Sequence, residues 1–390
     1  MPNRSRRSLL RQAPVLGLGL FLPRWPAAWP QNEDEVLPFT DVPENFSTRR
    51  GSEPEANPGQ NTYRLDWRRL QSWITPVEEF FAVAHYGVPR VDAPAWRLRC
   101  EGAIERPRAF TLEELRRRPR VEHTLVFECS GNRDRSLHGM VGNARWTGAS
   151  LRDLLRELGP AREAREAIFW AADSGKEEIR GSEYLQNFAR AMSLEEAMDS
   201  NAILAYEMNG QPLPVVHGFP VRVIVPGWYG IANVKWVERI ELSPRRLMNR
   251  FMGRDYVTLM GRKSGERQEW VETSITRMQV KSVAVRVTRR REGSGDRLKV
   301  FGVAWSGSDA LRSVEVSIDD GPWQAARLEP REPPFAWTFW TLEAPGVAAG
   351  AHTVASRATD RAGHAQPANL DLKKTYWEDN AVFRRPFKVA

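Results

Sequence analysis

The segment from residue 121 to 132 constrains the fold most strongly, because its side chains alternate between two faces until they reach a cysteine. This period-two pattern predicts a β-strand. It places Cys129 at the end of the strand, on the face that also carries Leu125 and Phe127, and a Ser-Gly-Asn turn follows. A thiolate held at such a corner is a fixed soft ligand, and soft ligands favour soft or high-valent metals. The sequence therefore predicts a metal ligand at Cys129.

Three further blocks follow downstream: Gly-Gln-Pro-Leu-Pro at 210–214, His-Gly-Phe-Pro-Val-Arg at 217–222 and Asn-Val-Lys-Trp at 233–236. Together with the Cys-Ser-Gly-Asn turn, they resemble the molybdenum-cofactor domain of the sulfite oxidase family. The resemblance runs from about residue 75 to the C-terminus and is densest over 202–237. Four ordered blocks at compatible spacing are a far more specific signal than a lone Cys-x-Gly-Asn.

The resemblance implies a molybdenum centre held by one pterin dithiolene, by oxo ligands and by one protein thiolate, for which Cys129 is the candidate. Asp255 and Tyr256 match the family's active-site pair, whose tyrosine hydroxyl lies near the metal's oxo group, and Arg133 is a third catalytic candidate. Cations and N–H donors are needed around the pterin phosphate. The residues expected to bind the cofactor are Phe81, His85, Asp173, His217, Arg222, Asn233, Val234 and Lys235. Alternation over 233–236 further predicts that Lys235 points away from Trp236.

Several of these residues also have a plainer structural interpretation. Taken alone, His217 is compatible with an exposed turn and Lys235 with an exposed strand face. Tyr256 is compatible with simple core packing, and Arg133 with an ion pair to Glu128. The order of all the blocks in one chain favours the cofactor site over these separate explanations.

The two cysteines allow a second chemistry, since an exported chain with two thiols can form a Cys100–Cys129 disulfide. Its formation depends on the separation of the two Cβ atoms. Metal ligation is favoured, because Cys129 and not Cys100 occupies the family's ligand position.

The substrate pocket departs from the family pattern. Members that oxidise sulfite line the pocket with arginines, which a small dianion needs. Here Val83 stands two residues before His85 where arginine is usual, Asp134 stands where a second arginine often follows, and Asp309 lies near the third. An apolar group and two acidic groups do not attract a dianion. The sequence therefore supports the cofactor more firmly than it supports sulfite as the substrate.

These observations predict a molybdenum-dependent oxidoreductase that transfers an oxygen atom, as sulfite oxidases and sulfite dehydrogenases do. No Cys-x-x-Cys-His motif and no cytochrome-b5-like region is encoded, so electrons are expected to leave to a separate carrier such as a cytochrome. One alternative is the reverse reaction, reduction of an S-oxide or N-oxide, which Val83 and Asp134 favour. Another is a metal-free binding or scaffold protein that kept the fold.

Two domains are expected from 390 residues. Thr111, Ser150 and Ser193 are helix-capping residues, and their helices mix with strands without a regular βαβ rhythm, so residues 75–245 are predicted as an α+β molybdopterin-binding domain. Residues 271–390 show short alternating strands, which predict an all-β sandwich. The resemblance implies that this sandwich is immunoglobulin-like and forms a homodimer.

The other segments are predicted to be extensions or connections. Residues 31–74 are expected to form an extended arm, and residues 246–270 the connection between the domains. Residues 5–11 resemble a twin-arginine motif, and the apolar run after it is too short to span a bilayer. Residues 1–30 are thus predicted as an export signal for a periplasmic protein without membrane insertion. The net charge of +8 is not accompanied by a nucleic-acid-binding motif, which excludes nucleic acid as a partner.

Overall fold

A computed structural model of the chain describes residues 34–44, 46, 49–50, 62–293, 295–330, 333–372 and 375–390. The predicted export signal at 1–30 lies outside these residues. Within the described ranges, no helix has both the length and the apolar character needed to cross a membrane.

The secondary structure is dominated by strands, numbered here along the chain. The first thirteen are β1 (Glu35–Leu37), β2 (Arg49–Arg50), β3 (Thr62–Tyr63), β4 (Leu98–Gly102), β5 (Arg108–Phe110), β6 (Arg120–Glu128), β7 (Val141–Ser150), β8 (Glu166–Ile179), β9 (Ser182–Ser193), β10 (Ile203–Met208), β11 (Gln211–Pro212), β12 (Arg222–Ile224) and β13 (Val237–Ser243). The others are β14 (Val257–Ser264), β15 (Arg267–Ser274), β16 (Lys281–Arg290), β17 (Arg297–Trp305), β18 (Leu311–Ile318), β19 (Gln324–Ala325), β20 (Arg327–Leu328), β21 (Thr338–Pro345), β22 (Gly350–Asp360) and β23 (Arg384–Val389). The α-helices are α1 (Leu112–Arg116), α2 (Leu151–Leu158) and α3 (Leu194–Asp199).

Two five-stranded sheets form the first domain. One has the order β11-β10-β7-β6, with β12 also paired to β10, and the other has the order β5-β4-β13-β8-β9. Strand β13 runs parallel to β4, and the remaining neighbours are antiparallel. Strand β6 pairs with β7 along its whole length, from Arg120 opposite Ala149 to Glu128 opposite Val141. The predicted strand is therefore confirmed, and Cys129 follows directly after its last residue.

The predicted helix caps are confirmed. Thr111 forms a complete capping box with Glu114, and the Ser150 and Ser193 side chains each accept a hydrogen bond from the backbone N–H three residues later. All three α-helices of the described residues are short and lie in the first domain. This domain is therefore richer in β-structure than the α+β prediction implies, because long paired strands, and not helices, bury most of its core.

The second domain consists of two packed sheets. The order is β1-β16-β17-β21-β20 in one sheet and β19-β18-β22-β23 in the other. Alternating residues of both sheets meet in one core, which includes Val287, Val300, Val316 and Val354. A two-sheet sandwich is therefore present, and its immunoglobulin-like character stays a prediction.

The segments outside the two predicted domains also contribute residues to the sheets and cores. Strand β1, in the predicted arm, extends a sandwich sheet by pairing with β16, and Leu37 is buried in the sandwich core. Leu65 and Trp67 of the same arm are buried in the large core that includes the first domain. The predicted connection contains one turn of π-helix (Arg250–Arg254) and most of the hairpin β14–β15. Tyr256, which follows the π-helical turn, lines the site described next.

Candidate active site

A cleft of about 660 Å³, including its open mouth, lies at the end of strand β6. It is lined by ten of the twelve residues that the sequence singles out: Phe81, His85, Cys129, Asp173, His217, Arg222, Asn233, Val234, Lys235 and Tyr256. Phe80, Val83 and Ile231 are among the apolar residues that complete the wall. The structure thus brings together segments that are widely separated in the chain.

The turn that carries Cys129 is held rigidly by hydrogen bonds. The backbone N–H of Cys129 donates to the carbonyl of Met140 at 2.9 Å, and its own carbonyl accepts from the N–H of Asn132 at 2.9 Å. The Asn132 side chain accepts from the Met140 N–H at 2.9 Å and from the Ser136 hydroxyl at 3.0 Å. Burial raises the pKa of the Cys129 thiol to about 11. The sulfur therefore keeps its proton until a cation replaces it.

Cys100 is not a partner for this sulfur. It lies on β4 and is buried in the large core, whereas Cys129 packs against a separate cluster around Phe80 and Phe127. Both cysteines are free thiols. The disulfide alternative is therefore not supported by the structure.

Two cations, Arg222 and Lys235, reach the cleft with backbone carbonyls as their hydrogen-bond partners. The Arg222 guanidinium donates to the carbonyls of His217 and Asn233 at 2.9 Å each, and its Nε is buried without a partner. The Lys235 ammonium donates to the carbonyl of Val216 at 2.9 Å. Burial lowers the pKa of Arg222 to about 9, and burial together with the Arg222 charge lowers the pKa of Lys235. Cations desolvated in this way favour an anionic ligand that restores their charge compensation.

Gly218 allows these two cations to approach each other. Its φ is 111°, in the left-handed region, and a Cβ atom there would lie 3.1 Å from the Cβ of Arg222 and 3.1 Å from that of Lys235. Only glycine combines this backbone conformation with so small a volume.

The predicted orientation of Lys235 is wrong. Residues 233–236 do not form a strand, and Trp236 has a φ of 50°. The chain therefore turns back on itself, and the Lys235 ammonium lies 4.0 Å above the Trp236 ring in a cation–π contact. Period-two alternation does not apply where one residue takes the left-handed conformation.

His217 is buried, which contradicts its interpretation as an exposed turn residue. Its Nε2 lies 3.2 Å from the carbonyl of Val77, and its ring meets Phe80 edge-on. Burial, with the charges of Lys235 and Arg222, lowers the pKa of His217 to about 3. The imidazole is therefore neutral at physiological pH and contributes hydrogen bonding, not charge.

Asp173 and Asn233 have different tasks in the cleft. Asp173 carries a buried side-chain oxygen, Oδ1, without a hydrogen-bond partner, and burial raises the pKa of this carboxyl. Asn233 uses its side chain internally, because its Oδ1 accepts from the Val225 N–H at 2.6 Å and its Nδ2 donates to two backbone carbonyls. Asp173 is thus available to a ligand, whereas the Asn233 side chain fixes the loop.

Tyr256 and His85 form a buried pair at the cysteine end of the cleft. The Tyr256 hydroxyl lies 2.7 Å from Nε2 of His85, whose ring stacks on Phe188. Burial, with the charge of Lys235, lowers the pKa of His85 to about 3. Burial also raises the pKa of Tyr256. Both partners are therefore neutral, and one proton is shared between two uncharged groups.

Asp255 and Arg133, the other two catalytic candidates, are not among the residues that line the cleft. The Asp255 carboxylate accepts from Nε of Arg250 at 2.7 Å, and Arg250 also donates to Glu177 at 2.6 Å. Asp255 thus anchors the π-helical turn before Tyr256. Arg133 is half-buried beside the Cys129 turn, and the predicted ion pair with Glu128 is replaced by one that involves Lys281.

The structure also shows where the three residues that depart from the family pattern lie. Val83 lines the cleft, as expected for an apolar substitute. Asp134 is exposed, and Asp309 lines a different cavity with Phe335 and Arg361. The loose assignment of Asp309 to the substrate pocket is therefore wrong. A C-terminal residue, Trp377, stacks on Tyr256 instead.

The sequence did not reveal two features of the site. Glu128 is buried and accepts a hydrogen bond from Lys281 at 2.5 Å and one from the Trp305 indole at 3.0 Å. Both partners belong to the second domain. The other feature is the indole of Trp377. A glutamate directly before the candidate ligand in a buried strand was the available signal for the first, and no local pattern signals the second.

The donor set fits the implied cofactor. In the described part of the chain no three His, Cys, Asp or Glu side chains converge on a metal position. A metal at Cys129 would take its other ligands from outside these side chains, and the implied cofactor would supply them. The desolvated cations Arg222 and Lys235 suit the phosphate of such a group, and the free oxygen of Asp173 suits a ring N–H.

Comparison with known families agrees with this geometry. Residues 85–251 match the family model of the oxidoreductase molybdopterin binding domain. Residues 272–388 match that of the Mo-co oxidoreductase dimerisation domain. Both matches fall on the two domains seen in the structure.

Several characterised proteins are similar to this chain. Mitochondrial sulfite oxidase of Homo sapiens is 35% identical over 76% of this chain, which spans 58% of the human protein. Sulfite oxidase of Gallus gallus is 34% identical, with 77% of this chain and 69% of the chicken protein covered. Nitrate reductase [NAD(P)H] of Hordeum vulgare is 31% identical over 82% of this chain and 40% of its own length.

Among solved structures, the sulfane dehydrogenase SoxCD from Paracoccus pantotrophus superposes with a TM-score of 0.72. The match covers 88% of this chain and 91% of that chain, at 27% identity.

Proposed function

This chain belongs to the sulfite oxidase family, and from that premise we propose that it is a molybdopterin-dependent enzyme that oxidises a small sulfur compound. Water supplies the oxygen atom, so that substrate and water give the oxygenated product, two protons and two electrons. The electrons pass one at a time to a separate carrier such as a cytochrome. The observation that carries the proposal is the cleft that joins one rigid thiol to two desolvated cations.

The cofactor is proposed to lie along this cleft. Cys129 binds the metal, Arg222 and Lys235 hold the phosphate, and Asp173 accepts from the pterin ring. When bound, the cofactor supplies two-electron oxygen-atom-transfer chemistry. The rest of the reaction depends on how the side chains of the chain place the substrate and exclude water.

Tyr256 is proposed to orient the substrate. Its hydroxyl shares a hydrogen bond with the neutral His85 and lies in a wall that also contains Cys129. Because both groups are uncharged, the hydroxyl can donate toward a developing oxygen charge without a change of net charge in the pocket. The apolar residues Val83 and Ile231 keep water from the reacting atoms.

Removal of that hydroxyl gives the first expected result. Tyr256→Phe keeps the ring stacking and should lower kcat by roughly 10- to 100-fold, a typical loss for one oriented donor. Molybdenum content should stay at the wild-type value, and the melting temperature should fall by only a few degrees, because the hydroxyl loses its hydrogen bond to His85 while the ring packing is kept. Steady-state assays with an artificial one-electron acceptor measure the effect. Unchanged kcat in a fully loaded variant would contradict the role given to Tyr256.

Substitution of a buried cation gives a second expected result, in which the protein keeps or gains stability while its cofactor loading falls. Lys235→Met removes a desolvated charge and should leave the cofactor-free protein as stable as wild type or more stable. Cofactor binding should fall by roughly 10-fold or more, because one phosphate contact is lost. Thermal unfolding and the fluorescence of the released, oxidised pterin measure the two quantities. Lys263→Met, at an exposed position of the β14–β15 hairpin, is the matched control.

Two alternative functions, an oxide reductase and a metal-free scaffold, can be distinguished from the proposed one by experiment. Val83 in the cleft and the similarity to a nitrate reductase favour reduction of an S-oxide or N-oxide. A metal-free scaffold is disfavoured, because a scaffold has no use for a free thiol and two desolvated cations. Molybdenum analysis of protein made in a cofactor-competent host tests for the scaffold. Assays of the loaded enzyme with sulfite, organic sulfides, dimethyl sulfoxide and trimethylamine N-oxide distinguish the two directions.

Assembly and location belong to the same proposal. The match to a dimerisation domain supports a homodimer built through the sandwich. The twin-arginine-like start supports export as a folded, loaded enzyme to the periplasm. Size-exclusion chromatography with light scattering tests the first point, and fractionation of a native host tests the second.

A further inference from the structure

Three stacked aromatic rings lead from the cysteine end of the cleft to the protein surface. Tyr256 lines the cleft together with Cys129. The indole of Trp377 stacks on the Tyr256 ring with centroids 4.3 Å apart and an interplanar angle of 25°. The ring of Tyr376 packs on the indole with centroids 4.7 Å apart, and this tyrosine is 51% exposed. The stack therefore begins in the wall of the site and ends in solvent.

The segment that carries the two outer rings is tied to the cysteine turn. The N–H of Glu378 donates to the carbonyl of Ser130 at 2.7 Å. A Cβ atom placed on Gly131 would lie 3.2 Å from Cζ3 of Trp377 and 3.9 Å from Sγ of Cys129. The indole and the sulfur are thus both within van der Waals reach of one glycine position. The outer end of the stack is held at a fixed place relative to the sulfur.

This arrangement bears on how electrons leave the site. The proposed reaction releases two electrons at the Cys129 end of the cleft, and two carrier molecules take one electron each. A carrier protein cannot enter a cleft of about 660 Å³, so each electron has to tunnel through the protein to a carrier docked outside. Tunnelling slows steeply with distance, and it is faster through packed atoms than across a gap. The three rings form a packed path, and they serve as its medium without being oxidised themselves.

The surface at the outer end of the stack has the character of a transient docking site. Aromatic residues are enriched in the cores of protein interfaces, and tyrosine is a frequent hot spot. Leu372, in the same segment as Tyr376, is also exposed, and the N–H of Thr375 donates to the carbonyl of Asp371 between them at 3.2 Å. Electron-transfer encounters bury less than roughly 1,200 Å² in total, so a few exposed apolar side chains are sufficient for one.

We propose that the exposed face of Tyr376 is the docking surface for the one-electron carrier, a protein that presents the edge of a planar redox group such as haem to this ring. This inference rests on the proposed function and names the place where its carrier binds. The stack of Tyr256, Trp377 and Tyr376 connects the Cys129 end of the cleft to the ring that the carrier covers. Two carriers dock there in succession for each substrate molecule oxidised.

The test uses the loaded enzyme, reduced with titanium(III) citrate so that no substrate is needed. The reduced enzyme is mixed with oxidised horse heart cytochrome c and, separately, with an acidic bacterial c-type cytochrome. Tyr376→Ala should lower the second-order rate constant of cytochrome reduction by about 10-fold, the loss expected for one aromatic hot spot. Its rate with ferricyanide, a small acceptor that needs no docking surface, should stay at the wild-type value.

Two further variants control for the change. Tyr376→Phe keeps the ring and should react with both cytochromes as the wild type does. Tyr184→Ala removes a tyrosine of nearly equal exposure, 52%, from strand β9 of the first domain, and it should leave every rate unchanged.

A binding measurement on oxidised proteins makes the test independent of electron flow. In surface plasmon resonance, the cytochrome that the wild type reduces should bind Tyr376→Ala about 10-fold more weakly than it binds the wild type or Tyr184→Ala. Equal affinities and equal rate constants in the three proteins would overturn the inference. Light scattering checks the assembly, because a wild-type dimer that dissociates in Tyr376→Ala would assign this residue to the contact between two copies of the chain and also overturn the inference.

The outcomes separate the inference from the function on which it rests. A loaded enzyme that oxidises a sulfur compound with ferricyanide but reduces neither cytochrome removes the inference and leaves the oxidase function intact. A loaded enzyme that no sulfur compound reduces removes the proposed function, and the titanium-reduced enzyme still decides whether a carrier docks at Tyr376.

Discussion

Replacement of Cys129 by serine is expected to abolish turnover while the fold survives. The change leaves the hydrogen bonds of the turn intact, because those bonds use the backbone of Cys129 and the side chain of Asn132. Among the described residues that line the cleft, it removes the one sulfur that could bind a metal. Loss of an outer-shell partner already costs roughly 10- to 100-fold in metal affinity or activity, so loss of the ligand itself should exceed about 100-fold in kcat. A hydroxyl also keeps its proton far more firmly than a thiol, and it is a poor ligand for a soft or high-valent metal.

Three measurements on Cys129→Ser check this expectation: kcat with an artificial acceptor, molybdenum content, and the visible absorption that a thiolate gives to a bound metal. Cys100→Ala is the matched control, because it removes the other thiol from the core of the same domain. The control should lose a little stability and keep its spectrum and turnover. Equal spectra and equal kcat in the two variants would show that Cys129 does not bind the metal.

Local patterns predicted the parts of the fold whose causes are local. The strand that ends before Cys129 follows from a period-two sequence, and it pairs with β7 up to its last residue, where Glu128 lies opposite Val141. The helix that begins after Ser150 follows from a cap and an apolar face. In each case the residues that determine the structure are neighbours in the chain.

Local patterns were not sufficient where the backbone conformation of one residue, or a contact with another part of the chain, determines where a side chain lies. Trp236 takes a positive φ, and this single dihedral angle places Lys235 above the ring that alternation predicted it to avoid. Asp255 is a catalytic candidate because the resemblance pairs it with Tyr256, and the structure places its carboxylate on Arg250, outside the lining of the cleft. Neither a positive φ at one residue nor a single ion pair produces a periodic pattern in the sequence.

Ten of the twelve residues named in the sequence analysis line one cleft, yet the resemblance did not point to Trp377. It directed attention to Asp309, which lines another cavity. Trp377, in the second domain, stacks on Tyr256 although the two residues are 121 positions apart in the chain. Contacts between domains have no spacing rule within a single chain, so a structure was needed to find them.

A buried ion pair between the domains gives the largest expected effect on stability. The Lys281 ammonium lies 2.5 Å from Oε1 of Glu128, and the two side chains are 1% and 2% exposed. Oε2 of the same carboxylate accepts from the Trp305 indole at 3.0 Å, and Asn132 donates to Oε1 at 3.1 Å. Lys281 and Trp305 lie opposite each other on the paired strands β16 and β17. Both bind Glu128, so the sandwich holds the residue that directly precedes Cys129.

Lys281→Met should therefore lower the free energy of unfolding of the cofactor-free protein by about 3–5 kcal/mol, the range observed when one partner of a buried ion pair is removed. The cause is the carboxylate of Glu128, which keeps two neutral donors and loses its only cation in this network. The ammonium of Lys281 also lies 3.4 Å from the carbonyl of Asn132. Its loss should loosen the Cys129 turn and lower molybdenum loading as well.

A double-mutant cycle separates the pair from simple side-chain packing. Glu128→Gln combined with Lys281→Met leaves no buried charge, and it should recover at least about 2 kcal/mol of what Lys281→Met loses. Lys263→Met, an exposed lysine in the β14–β15 hairpin, should change stability by less than about 0.5 kcal/mol. Urea unfolding of the wild type, Glu128→Gln, Lys281→Met and the double variant gives the coupling energy. A coupling energy near zero would mean that the ion pair does not hold the two domains together, and that Lys281 does not position the cysteine through Glu128.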